Sequence, residues 1–319
     1  MSQVSFSKPD APQQLTTGHL LMVRPAAFGF NPETAADNAF QRVAAPSQQQ
    51  KIAKAARNEF DELVQKLRAA GVVITVAEDS ATPIKTDAVF PNNWISTHAD
   101  GLVVTYPMLS EIRRQERRQA IIDLLAATYS LKRLVTLDPW ELQGRILEGT
   151  GSMILDRRNR VVYACISQRT NPTALEEWAE LMRYQVCSFT AQDQNGKAIY
   201  HTNVMMALGS KQAVICLDAL PFQHERQLVL EQLEQSGHEV IAITQAQVAQ
   251  FAGNMLEVVG KNGPIWVMSS QAYASLTDEQ IARLKSNNQS ILHSPLTTIE
   301  TYGGGSARCM LAEVFLPKK

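Results

Sequence analysis

Ala53-Lys-Ala-Ala-Arg-Asn-Glu-Phe60-Asp-Glu-Leu63-Val64-Gln-Lys-Leu67-Arg-Ala-Ala70-Gly71-Val72-Val-Ile-Thr-Val76 holds two periodicities back to back. Phe60, Leu63, Val64 and Leu67 fall on one face at helical spacing. Gly71 stands where a C-cap glycine ends a helix. Directly after it, Val72–Val76 is a short β-branched run, the signature of a strand. A helix that feeds straight into a strand is the repeating joint of an α/β protein.

The same joint recurs outward in both directions. Leu20–Val23, Leu102–Thr105, Arg160–Ala164, Ala213–Leu217, Glu239–Ile243 and Pro264–Met268 read as further strands. Helical patterns cover Arg113–Thr128, Pro172–Tyr184, Gln223–Ser236 and Asp278–Asn287. Asn171 is placed as N-cap of the second of these, with Pro172 at the first helical position. No Gly/Ser- or Pro-rich linker divides the chain. Residues 16–319 are therefore expected to form one α/β domain, behind a polar N-terminal extension over residues 1–15. No exact repeat period is visible. Periodicity alone leaves both a doubly wound sheet and a ring of small αβ units open.

Composition narrows the function. The 319 residues are 45% hydrophobic and 19% charged, with a formal net charge of -1. No excess positive charge is present to neutralise phosphates, so neither a nucleic acid nor a membrane surface is expected as partner. Cys165, Cys187, Cys216 and Cys309 are scattered, with no C-x-x-C pair and no metal-ligand spacing. No metal site and no disulfide framework are expected, and a reducing compartment is the default. Met1–Leu15 has no apolar core of the kind a secretory signal needs. No apolar run is long enough to span a bilayer. A cytoplasmic protein is expected.

Four segments serve packing badly. In Tyr302-Gly-Gly-Gly-Ser-Ala-Arg308-Cys309, consecutive glycines cost backbone entropy and suit left-handed backbone or close approach to a ligand. They deliver Cys309 beside Arg308, a cation that favours a thiolate. Leu147-Glu148-Gly-Thr-Gly-Ser-Met153 alternates glycine with small polar residues; a tight turn with a solvent-facing Glu148 is the alternative. Ala198-Ile-Tyr-His201-Thr-Asn203 puts His201 and Asn203 on one face if the segment is a strand. Thr86-Asp87-Ala-Val-Phe90-Pro-Asn92-Asn93-Trp94 sets paired amides beside an aromatic ring, which suits a small, planar polar group or a simple Asn-rich turn. The other three cysteines lie in apolar runs and are read as packing.

Taken in this order, the segments resemble the guanidine-modifying or amidinotransferase superfamily. Arginine deiminases, dimethylarginine dimethylaminohydrolases and glycine amidinotransferases belong to it. The likeness runs from Val23-Arg-Pro to the C-terminal cysteine and is nearest to a citrulline-utilisation hydrolase group. It implies an α/β-propeller, or pentein, of pseudo-repeated ββαβ units around a central channel. It implies that Cys309 is the nucleophile, His201 the catalytic histidine and Glu148 the catalytic acid. Asp87, in Asp-Ala-Val-Phe, Arg113, in Arg-Arg-Gln-Glu, and Arg169, in Ser-Gln-Arg-Thr-Asn, match substrate-binding positions. Asn254, in a Gly-Asn turn, resembles a site loop. Habit within the superfamily makes a homodimer an open expectation.

Two departures bear on substrate. Asn92-Asn93 stands where dimethylarginine hydrolases carry Glu-Asp, and Asn203 where arginine deiminases carry an aspartate. A guanidinium pairs well with carboxylates. A ureido group is neutral and offers both an acceptor and donors, as an amide does. The expected reaction is thus hydrolysis of C–N bonds in a ureido or guanidino amino acid, with citrulline favoured, through a covalent cysteine adduct and without a cofactor. Arginine or methylarginine hydrolysis, amidino transfer and a non-catalytic binder on the same fold are the alternatives.

Overall fold

The computed structural model describes residues 14–35, 38, 40–286 and 289–319. Residues 1–13 of the expected extension lie outside them, as does Asn287 at the expected end of the last helix. Leu15, assigned to that extension, is buried in a core cluster with Tyr163 and Met205.

The strands are β1 (His19–Arg24), β2 (Val73–Glu78), β3 (Ile95–Thr97), β4 (Leu102–Thr105) and β5 (Arg133–Thr136), then β6 (Ile154–Asp156), β7 (Val161–Cys165) and β8 (Gln185–Phe189). They continue as β9 (Met206–Leu208), β10 (Gln212–Ile215), β11 (Glu239–Ala242), β12 (Leu256–Gly260), β13 (Gly263–Ser269), β14 (Ser290–Ser294) and β15 (Ala312–Glu313). They form five three-stranded sheets. Four share one plan. Two strands pair antiparallel, a helical segment follows, and a third strand returns parallel to the second. The fifth has the same plan but is assembled from both ends of the described chain. β15 pairs antiparallel with β1, and β2 returns parallel to β1 after the helix Gln49–Ala69. The repeat therefore lies in topology, where sequence shows no period.

The middle strand of each sheet explains the continuous apolar runs. In β1, Leu20 and Met22 enter a core with Val258, Ile265 and Phe60, while Leu21 and Val23 enter another with Trp94, Val103 and Ala312. Alternate side chains point to opposite faces, and both faces are covered. Leu102 and Val104 pack with Val162 and Trp178, and Val161 and Tyr163 with Met206 and Val214. Trp266 and Met268 of β13 join that last cluster, while Ile265 and Val267 join the one holding Leu20. Cores are thus shared between sheets: β1 with β4 around Leu21, β4 with β7 around Leu102, β7, β10 and β13 in one cluster around Tyr163, and β13 with β1 around Leu20.

Most expected elements occur within a few residues of their sequence limits. Asn171 caps the helix Pro172–Met182 by accepting from the Ala174 amide. One does not hold: Arg113–Thr128 is two helices, Glu111–Arg114 and Gln119–Thr128, with Arg118 extended between them. An unbroken helix with a basic start would leave Arg113 and Glu116 in solvent, whereas both are buried here. The segment His201–Asn203 also departs from expectation. His201 is extended, but Thr202–Val204 is a 3₁₀ turn, so His201 and Asn203 do not share a strand face.

Candidate active site

The same corner of every sheet supplies the site. A short turn leads into the first strand of each antiparallel pair. Pro91–Asn93 precedes β3, Gly149–Ser152 precedes β6, Thr202–Val204 precedes β9, Asn254 precedes β12 and Ala307–Met310 precedes β15. These turns carry, or directly follow, Asn93, Glu148, His201, Asn254 and Cys309. Each sits against the next: Thr150 Oγ1 donates to the Asn92 carbonyl, Thr202 Oγ1 to the Ser152 carbonyl, and Asn254 Nδ2 to the Asn203 carbonyl. The Arg308 amide then donates to Asn254 Oδ1 at 3.0 Å.

Between the turns lies a small pocket lined by Asp87, Asn93, Arg113, Arg169, His201 and Cys309, with Thr34, Asn38, Phe90, Tyr200 and Gly303–Gly305 completing its wall. Its volume of about 20 Å³ is room for about one water molecule. Tyr200 Oη donates to the Gly304 carbonyl at 2.7 Å, and Asn38 Nδ2 to the same oxygen at 3.3 Å. A larger cleft of about 590 Å³ lies on the far side of Tyr200, lined by Phe40 and Phe251 among others. Among the described residues it is lined by no cysteine or histidine, so chemistry and not volume selects the smaller pocket.

Glycine serves two specific needs here. Gly304 has φ of +63°, the left-handed region, where the chain turns towards Cys309. A Cβ on Gly151 would collide with Asn93 Nδ2 and the His201 ring, so only glycine lets these two groups approach the turn that follows Glu148.

His201 Nε2 is 2.8 Å from Glu148 Oε2, and both residues are buried. The carboxylate only accepts, so Nε2 carries the proton and Nδ1 is the free lone pair. Glu148 Oε1 accepts the Leu109 amide at 3.0 Å. Burial pushes the Glu148 carboxyl up, but Arg169, His201 and Arg113 together outweigh it and hold it well below the usual carboxylate range. Burial lowers His201, and the opposing pull of Glu148 only partly compensates, so its neutral form is favoured. A solvent-facing Glu148 is thereby ruled out.

Arg113 is also buried and heavily committed. Its Nε and Nη2 donate to the two Glu116 oxygens, each at 3.0 Å, Nη2 also reaches the Phe90 carbonyl, and Nη1 donates to Asn93 Oδ1 at 2.8 Å. Asp87 Oδ2 and Glu148 Oε2 each lie 3.9 Å from the same guanidinium. Burial raises Asp87 despite Arg113 and the hydrogen bond from Asn31 Nδ2. Asp87 Oδ1 and Asn93 Nδ2 are buried with no hydrogen-bond partner among the described residues. Arg169 Nη1 is 3.6 Å from Glu148 Oε2, and its guanidinium lies over the Tyr200 ring.

Two amides converge on the thiol. Asn203 Nδ2 is 3.4 Å and Asn254 Nδ2 3.3 Å from Cys309 Sγ. Donors aimed at a sulfur stabilise negative charge on it. Arg308 gives the thiol no hydrogen bond, since its guanidinium donates to the Leu311 carbonyl and to Glu313, but its charge still acts on Cys309. Asn92 is buried but off the pocket wall, since successive residues of a 3₁₀ turn point about 120° apart and Asn93 faces inward. Cys165 and Cys187 are free thiols pushed up to about 11 by burial, as packing residues would be.

Over residues 24–316 the sequence matches the family described as N,N dimethylarginine dimethylhydrolase, eukaryotic. The chain belongs to that family. It therefore belongs to the guanidine-modifying superfamily. No curated protein sequence matches it significantly. Among solved structures, its fold is similar to the N-terminal domain of ArgZ, a cyanobacterial arginine dihydrolase, in complex with product. The TM-score there is 0.71 at 17% identity, covering 94% of this chain and 99% of that domain. AgrE with ornithine and NAD+ gives 0.70 at 19% identity over 94% of this chain and 40% of AgrE. A dimethylarginine dimethylaminohydrolase adduct with S-methyl-L-thiocitrulline gives 0.63 at 12% identity, covering 93% and 99% of the two chains. The chain spans 39% of full-length ArgZ. No helix among the described residues is long and apolar enough to cross a membrane.

Within this dimethylarginine dimethylhydrolase-family chain, sequence reasoning missed Glu116 and Asn31. Glu116 was visible as the acid of Arg113-Arg-Gln-Glu116, three residues from its partner. Asn31 carries no local signal beyond an Asn-Pro turn.

Proposed function

We propose that the chain hydrolyses the C–N bonds of a ureido amino acid, citrulline in the first instance, with Cys309 as nucleophile. The observation that carries this reading is the orientation of Asn93. Arg113 donates to its Oδ1, so its NH2 group is left as a buried donor without a partner among the described residues. A ureido oxygen accepts from such a donor. A guanidinium has only N–H groups to offer and would leave it unsatisfied, at a cost of about 1–3 kcal/mol.

In this mechanism His201 Nδ1 takes the thiol proton and Cys309 Sγ attacks the ureido carbon. Asn203 and Asn254 steady the charge on sulfur, while Asn93 steadies the charge on oxygen. The protonated His201, balanced by Glu148, returns its proton to the departing nitrogen. A thiocarbamate remains on Cys309. Water, losing a proton to His201, displaces the thiolate, and the carbamic acid product falls apart to carbon dioxide and a second nitrogen product. Asp87 receives substrate N–H groups, and Arg169 and the remaining donor of Arg113 serve the α-carboxylate. For an amino acid to enter the space of about 20 Å³, wall residues such as Thr34 and Asn38 would have to move. The five sheets act as one catalytic domain over residues 16–319, closed into a propeller by the pairing of β15 with β1. The cyclic sharing of cores and of entry turns supports that closure.

A second reading, hydrolysis of arginine or a methylarginine, is favoured by Asp87, whose unpaired oxygen suits a guanidinium. The family match and the ArgZ likeness agree with it. The test supplies citrulline, arginine and methylarginine separately to the purified protein and to Cys309→Ser, following ammonia and the amino-acid product. Ammonia and ornithine from citrulline, lost in the variant, are expected. Citrulline accumulating from arginine would overturn the ureido reading in favour of the second.

A further inference from the structure

We propose that Glu116, a residue outside the pocket wall, sets substrate selectivity by fixing Arg113 and, through it, the direction in which the Asn93 amide faces. Three carboxylates surround the Arg113 guanidinium. Glu116 holds it with two hydrogen bonds at 3.0 Å each, while Asp87 and Glu148 stand at 3.9 Å. The fork-to-fork geometry decides the competition, because a bidentate pair orients a planar guanidinium as a single contact does not. With Nε and Nη2 pinned, Nη1 is left to donate to Asn93 Oδ1 at 2.8 Å.

Two consequences follow from that one orientation. The Asn93 NH2 group, the only other end of the amide, is turned to the side of the His201 ring, which shares its contact with Gly151. And Arg113 is kept from closing on Asp87 Oδ1, so that oxygen stays available for substrate N–H groups. Without Glu116 the guanidinium has two nearby carboxylates to turn to. Turning to either releases Asn93 Oδ1, and the amide is then free to present oxygen instead of nitrogen. The pocket would lose its preference for a carbonyl oxygen over an N–H group. Among the described residues the Glu116 side chain hydrogen-bonds to Arg113 alone, so it is a positioning residue.

The inference rests on the reading of Asn93 as a contact of the reacting group. Its test is a double-mutant cycle on the full chain, scored by the ratio of kcat/KM for citrulline to that for arginine. Glu116→Gln, which keeps shape but loses the second acceptor and the charge, is expected to lower this ratio at least tenfold. Glu116→Asp, which keeps the charge, is expected to restore part of it. In an Asn93→Asp background, where the side chain has no NH2 to aim, Glu116→Gln is expected to leave the ratio unchanged. A merely structural Glu116 would lower both activities together in both backgrounds, and an unchanged ratio in the first background overturns the proposal. Should Glu116→Gln not fold, Glu116→Asp carries the same comparison against Asn93→Asp. Failure of the ureido reading is separate and visible in the unmutated protein, as an absence of activity on citrulline.

Discussion

On one side of Cys309 the pocket is built from paired charges, and on the other from amides. The charged side holds Glu148 with His201, Arg169 and Arg113, and Arg113 with Glu116 and Asp87. The amide side holds Asn203 and Asn254, both donating to the sulfur. Asn93 stands where they meet, accepting from Arg113 with one end and offering an unpaired donor with the other. The charges are nearly satisfied among themselves, so they hold the site's shape and set the state of the imidazole. Asn93 Nδ2 and Asn203 Oδ1 are buried without a partner among the described residues, and on the proposed reading a neutral group would be read there. A site meant for a cation alone has little reason to keep an unpaired NH2 group buried.

The charged side should be the more costly to break. Glu148→Gln removes the group that orients and balances His201, and kcat is expected to fall about 1,000-fold or more. The same change leaves Arg169 and Arg113 short of a buried partner, and urea unfolding should show a loss of about 3–5 kcal/mol. A variant that keeps full kcat would remove Glu148 from the mechanism.

The amide side should yield a smaller and more selective effect. Asn254→Ala is expected to lower kcat about 100-fold, on the scale of losing one donor to a developing charge. KM should change little, because Asn254 Nδ2 faces the sulfur and does not line the pocket. Steady-state kinetics showing the loss in KM instead would make Asn254 a substrate contact.

The smallest effect is in pH dependence. Burial depresses His201, so the acid limb of kcat/KM is expected below its ordinary 6.5. Since Glu148 opposes that depression, the limb should move further to acid in any residual activity of Glu148→Gln. The sign for stability is the same. The folded chain prefers the neutral ring, so the His201 contribution is present above 6.5 and is lost as pH falls towards the lower folded value. A limb above 6.5 would contradict the assignment.

How much of this could be read beforehand differs between the two sides. Cys309, Glu148 and His201 stood out because glycine-rich or polar context made packing a poor reason for them. Asp87, Asn93, Arg113 and Arg169 reached the same pocket, and Asn254 reached the thiol itself. Glu116 was hidden because an acid three residues from an arginine, in a basic stretch, reads as a solvated helix face. The Ser110 cap that starts Glu111–Arg114 is itself held by Glu33, distant in sequence, a contact that no local pattern reveals. Among strands, the middle ones were legible as apolar runs. β3, β6 and β9 have only three residues each, too few for a period to register. The common corner of the sheets was invisible for the same reason: its turns are short, and each spends its sequence on a different chemistry.

The central claim is that Cys309 Sγ attacks the carbon of a ureido group. Rapid acid quench of the protein with citrulline, followed by peptide mass spectrometry, tests it most directly. A carbamoyl-type adduct is expected on the Cys309 peptide, absent from Cys165, Cys187 and Cys216 and lost in Cys309→Ser. An enzyme that turns over citrulline with no adduct on Cys309, and with undiminished rate in Cys309→Ser, would contradict it.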